Sequence, residues 1–192
     1  MIKYLLLLLT MIAVACNSHT QPQRKNIVQT ISDSALFDTI ERRTFEYFWS
    51  GAEPNSGMAP ERIHIDNDYP EHDESTIAVG GSGFGVMAIL AGINRGYITR
   101  EEGLQRFEKI ISFLEKADHF HGAYPHWLYD ENGHVHPFGY DDNGGDLVET
   151  SYLMQGLLCV RQYFKDGNDE EKKLSVRIDS IWRGVDYDWY RR

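Results

Sequence analysis

The segment 99–117 constrains the fold more than any other. Thr99, followed three residues later by Glu102, has the spacing of a capping box, in which each side chain satisfies the other residue's backbone N–H at a helix start. Behind it Leu104, Phe107, Ile111 and Leu114 recur every three or four residues and so share one face of a helix. That face needs an apolar partner, and the neighbouring segments offer one. Residues 34–49 place Leu36, Phe37, Ile40, Tyr47 and Phe48 at helical spacing behind candidate caps at 32–34. Phe45 and Trp49 widen that apolar arc, which implies a helix covered on more than one side. Residues 83–94 are apolar nearly all round and read as a core helix stopped by Gly96. Residues 147–164 carry Leu153, Leu157, Val160 and Phe164 on one side and end at Gly167. A last helix from Asn168 or Asp169 carries Leu174, Ile178, Ile181, Val185 and Trp189 to the chain end.

Two connections, 51–82 and 118–145, are long and rich in Pro, Gly, Asn and Asp, and connections of that length are commonly functional. No stretch alternates long enough to predict a strand. Gly80 to Gly85, GGSGFG, lacks a preceding strand and an acidic partner, which argues against a nucleotide-binding loop. The expectation is an all-α chain, one domain over 31–192, with both long loops leading into helices at one mouth of a helical barrel.

Ahead of the domain, Lys3 and the apolar runs 5–9 and 11–14 make an export signal too short to span a bilayer as a mature helix. Ala13-Val14-Ala15-Cys16 resembles a bacterial lipobox, which makes residues 1–16 a signal ending at a lipidated Cys16, with plain secretion as the alternative. Residues 17–30 then form a polar tether. The expected location is the cell envelope, the membrane being reached through the lipid anchor alone. The net charge of −10 becomes −11 once Lys3 is removed, so nucleic acid and anionic surfaces are poor partners. With Cys16 lipidated, Cys159 is left alone in an apolar helical run and is expected to be a buried free thiol.

Chemistry concentrates between Gly139 and Leu158. Asp141, Asp142 and Asp146 run through glycines into a helix bearing Glu149 in its first turn. Asp146 and Glu149 also have the spacing of a helix cap with a back-bonding acid, and Asp142 sits where an Asx turn is common.

An ordered set of segments resembles the glucoamylase-like proteins that include glycoside hydrolase family 144. It comprises Phe45-Glu46-Tyr47-Phe48-Trp49, then Pro54, Gly57 and Arg62, then Gly83-Phe84-Gly85, then Tyr124-Pro125-His126, then 146–153 with Gly156-Leu157-Leu158, and finally 185–190. The resemblance covers about residues 30 to 192 and implies an (α/α) toroid of six helical hairpins, here its first half, because such domains run to roughly twice this length. It also implies hydrolysis of a glucan, foremost β-1,2-glucan, by inversion and without a cofactor. Glycoside hydrolysis uses one protonated and one ionised carboxyl group. By family position these are Glu149 and Asp142, with the two roles unassigned and a further acid expected beyond residue 192.

Sugars present hydroxyls to polar groups and C–H faces to aromatic rings, and aromatic residues make up 12% of the chain. His126, Trp127 and Tyr140 are therefore candidate glycan contacts, joined by Asp146, and Arg62 is a candidate donor to sugar hydroxyls or an ion-pair partner of Glu61. His119-x-His121 and His134-x-His136 lack the spacing of a helical zinc site, so no metal is expected. Asp66, Asp68, Asp73 and Glu74 do not follow a calcium-loop pattern and read as a solvated loop. The rival to a hydrolase is a surface glycan-binding lipoprotein without turnover, or an inactive fragment.

Overall fold

In the computed structural model, residues 31–191 are described, so the export signal and Cys16 lie outside the described residues. Residues up to Ala35 group apart from the unit Leu36–Arg192. Of the first group, 31–35 are described, and there the Ser32 hydroxyl accepts the Ala35 N–H at 3.2 Å, as an N-cap does.

The described residues form five helices and one small sheet: α1 (Asp33–Trp49), β1 (Thr76–Ala78), α2 (Val79–Asn94), α3 (Arg100–Leu114), β2 (Trp127–Tyr129), β3 (Val135–His136), α4 (Leu147–Phe164) and α5 (Asp169–Arg183). The fold is mostly helical, as the periodicities require. Thr99 and Glu102 complete the expected capping box on α3, and Asn168 and Glu171 make another on α5. Leu104, Phe107, Ile111 and Leu114 meet Leu153, Leu157, Val160 and Phe164 in one continuous core, to which Leu174 and Ile178 of α5 add.

Among the described residues, α2 and α4 are the helices in most extensive contact, and glycines let them approach. A Cβ at Gly83 would stand 2.8 Å from the Leu153 nitrogen, and one at Gly156 would stand 2.5 Å from a Val86 methyl. These backbones therefore touch where other helices are held apart by side chains. Gly85 admits the Phe48 ring in the same way, its Cβ position lying 2.9 Å from Phe48 Cδ1.

Several expectations fail for physical reasons. Three short strands exist, ordered β1-β2-β3 and antiparallel, with Ile77 opposite Leu128 and Trp127 opposite His136. They are two or three residues long, too short to leave an alternating pattern. Helix α2 starts at Val79, four residues before the expected Gly83, because its glycine-rich first turn is helix packed on α4 and not loop. Helix α1 buries Phe45 alone, while Leu36, Phe37 and Ile40 stay exposed, so among the described residues it is covered on one side. Helix α5 ends at Arg183 with Gly184 as cap, and Val185 and Trp189 belong to a turn that folds back. There Asp186 N–H bonds the His121 carbonyl at 2.9 Å, Trp189 stacks on His121 and the Tyr190 hydroxyl donates to Phe120. Cys159 is exposed on α4, against the expected burial, since the apolar set of α4 faces α2, α3 and α5 and leaves this position outside.

Candidate functional site at the heads of α2 and α4

The sheet and both long connections meet at the N-terminal ends of α2 and α4. Strand β1 runs directly into α2, and residues 115–146 return through β2 and β3 to the start of α4. Tyr124 pins this return: its N–H donates to Thr150 Oγ1 at 2.8 Å, its carbonyl accepts the Asp146 N–H at 2.8 Å, and its hydroxyl donates to the Leu114 carbonyl at 3.0 Å. Burial raises the Tyr124 phenol well above its ordinary range, so the hydroxyl stays a donor.

Two helix N-termini thus lie side by side, each with backbone N–H groups to satisfy. Asp146 caps α4, Oδ1 accepting from Val148 N–H at 2.8 Å and Glu149 N–H at 3.0 Å. Its other oxygen meets His126 Nδ1 at 2.9 Å. Burial pushes the Asp146 carboxyl up, but the bonds from Glu149 N–H, His126 and Val148 N–H together outweigh it and hold the group below its usual range.

Helix α2 is capped differently. Ala78 at its N-cap supplies no side-chain acceptor. The Val79 N–H instead bonds the His126 carbonyl at 3.2 Å, and the Gly80 N–H bonds Glu149 Oε2 at 2.8 Å. Glu149 therefore does not back-bond to its own N-cap, as the spacing suggested; it crosses to the neighbouring helix. Carboxylates at helix N-termini are favoured by the N–H groups and by the helix dipole. His126 touches both helices, one through its carbonyl and the other through its ring.

An aromatic wall stands beside these acids. His126 stacks on Phe138 with centroids 4.1 Å apart, and Trp127 meets both rings edge-on at 5.5 and 4.9 Å. Trp127 Nε1–H donates to Glu61 Oε2 at 3.1 Å, and Arg62 is held between Glu61 at 3.2 Å and Asp73 at 3.3 Å. His136 Nδ1 lies 2.8 Å from Thr76 Oγ1, and burial lowers its pKa.

The sequence-predicted residues thus divide. Glu149, Asp146, His126 and Trp127 are brought together, with Arg62 joined through Glu61. Asp142 and Tyr140 project from the 139–142 turn, both exposed, and the turn closes through backbone bonds between Phe138, Gly139 and Asp142. The expected ion pair of Arg62 with Glu61 is present, while Asp73, read as part of a solvated loop, is its second partner. Sequence reasoning gave no role to Phe138, and Gly80 left a signal only in the glycine run dismissed as a phosphate loop. Among the described residues, no group of three or more His, Cys, Asp or Glu is placed to hold a metal.

No family model matches the chain. Solved and curated proteins do. An endo-β-1,2-glucanase of Chitinophaga pinensis, solved with sophorotriose and glucose, superposes with a TM-score of 0.83 at 63% identity, over 84% of this chain and 38% of its own. A β-1,2-glucanase structure from Parabacteroides distasonis superposes with a TM-score of 0.76 at 53% identity, over 83% of this chain and 22% of its own. An exo β-1,2-glucooligosaccharide sophorohydrolase (non-reducing end) of the same organism is 55% identical over 163 residues, 84% of this chain and 22% of that protein. The chain is a homologue of these β-1,2-glucan hydrolases. It shares the first-named fold over part of an α/α toroid and spans 22–39% of the length of such relatives.

Proposed function

We propose that the heads of α2 and α4 form part of a β-1,2-glucan hydrolase site. The observation that carries this reading is Glu149: a half-buried carboxylate anchored through one oxygen and set beside a wall of His126, Trp127 and Phe138. A carboxyl group fixed in this way beside a sugar-stacking surface suits proton transfer to or from a glycosidic oxygen or its attacking water. Asp142 is the second acid of the reading, carried exposed on the 139–142 turn, and the acid and base roles stay unassigned between them. No redox step or cofactor enters this chemistry. The reading extends to an exported, envelope-located protein tethered by a lipid on Cys16.

The test is incubation with linear β-1,2-glucan and a reducing-end assay. Glu149→Gln is expected to lower turnover by on the order of 10²- to 10⁴-fold, the usual contribution of a general acid or base. Saturable glucan binding without product would favour the non-catalytic reading, to which the exposed aromatic turn at Phe138 and Tyr140 lends support.

A further inference from the structure

Gly80 opens α2 beneath a helix cap that carries no acceptor, and its N–H is satisfied by a side chain 69 positions away. The approach is so close that a Cβ at Gly80 would stand 3.0 Å from Glu149 Cδ and 3.3 Å from Glu149 Cα, and closer still to Oε2. The neighbouring Gly81 is different: a Cβ there would meet only the Ala78 Cβ, at 3.0 Å. Glu149 Oε2 is engaged by Gly80, whereas among the described residues Oε1 has no hydrogen-bond partner and does not figure among the buried unpaired oxygens.

We propose that Gly80 is a positioning residue for Glu149: its backbone N–H clamps one carboxyl oxygen and leaves the other turned to the reacting sugar. An amide clamp restricts rotation of the carboxyl group about its terminal bond, which is the softest torsion of a glutamate side chain. It also ties the geometry to the rigid α2–α4 pair, so the group is held before substrate arrives. Only glycine permits the contact, because any side chain would push the carboxylate off the amide. Glu149 in turn caps α2, so one hydrogen bond both closes a helix and aims an acid.

This inference rests on the hydrolase reading, and the two fail separately. Turnover of linear β-1,2-glucan is measured for wild type, Gly80→Ala and Gly81→Ala, with helical circular dichroism confirming that each variant is folded. Gly80→Ala is expected to lower kcat about 100-fold with KM within about twofold, the cost of displacing a reacting group by an ångström or so. Gly81→Ala is expected to stay within about twofold of wild type. Wild-type kcat in Gly80→Ala overturns the positioning role. Absence of turnover in wild type sinks the hydrolase reading for this chain instead. The clamp is then read by hydrogen exchange, where Glu149→Ala should speed exchange of the Gly80 N–H at least about tenfold and leave the Ile89 N–H of mid-α2 unchanged. An unchanged Gly80 rate overturns the clamp, and this second arm also serves should Gly80→Ala fail to fold.

Discussion

Glu53 sits in the turn after α1, 8% exposed, beside Asp130. Asp130 is itself buried and accepts the Asn55 and Ser56 N–H groups at 2.9 and 2.8 Å, so its charge is compensated. Burial, with the Asp130 and Glu131 charges added, pushes the Glu53 carboxyl up from 4.5 to about 7. A raised folded-state pKa means that the native chain holds a proton which the unfolded chain gives up near 4.5. The Glu53 contribution to stability is therefore fully present below that value and is lost as pH climbs through about 7. Thermal midpoints of wild type should decline over this window relative to those of Glu53→Gln, and parallel profiles would refute the assignment. Nothing in the spacing of Glu53 announced this, since its burial depends on strand β2 delivering Asp130 from more than seventy residues away. The exposure of Cys159 and the crossing of Glu149 to α2 were obscured for the same reason: periodicity shows which residues share a helix face, but not which faces another element covers.

Helix boundaries were the most legible feature of the chain, because caps and periodicity act within a few residues. Leu147 to Phe164 and the Thr99 capping box came through unchanged. Thr99→Ala removes the acceptor of the Glu102 N–H and should cost about 1 kcal/mol. In a domain of this size that lowers the melting temperature by about 2–4 °C. The start of α2 was hidden because Val79 to Gly83 contains three glycines, which locally favour loop, whereas the approach of α4 requires two of them, Gly80 and Gly83, at close range. Gly83→Ala should accordingly destabilise the chain by at least about 1–3 kcal/mol, since the new methyl meets backbone that cannot turn aside. A denaturant midpoint equal to that of wild type would show that α2 and α4 can separate without loss. The strands escaped notice because two or three residues carry no period, and the pairing of β1 with β2 joins segments about fifty residues apart.

At the scale of the molecule, the sheet, the two long connections and the two helix heads converge on one acidic and aromatic surface. The family resemblance pointed to Glu149 and Asp142 by position, while the structure supplied what no spacing could: the crossing of Glu149 to Gly80 and the ring of His126 between Asp146 and Phe138. The central claim is that this surface receives a β-1,2-linked glucan. It is tested most directly by titrating the ¹⁵N-labelled chain with sophorotriose and following the four tryptophan indole N–H signals and the backbone amides. The account predicts saturable shifts at Trp127 Nε1–H, Phe138 and Gly80, with Trp49 and Trp182 unmoved. Shifts confined to other surfaces, or none at saturating sugar, would contradict it.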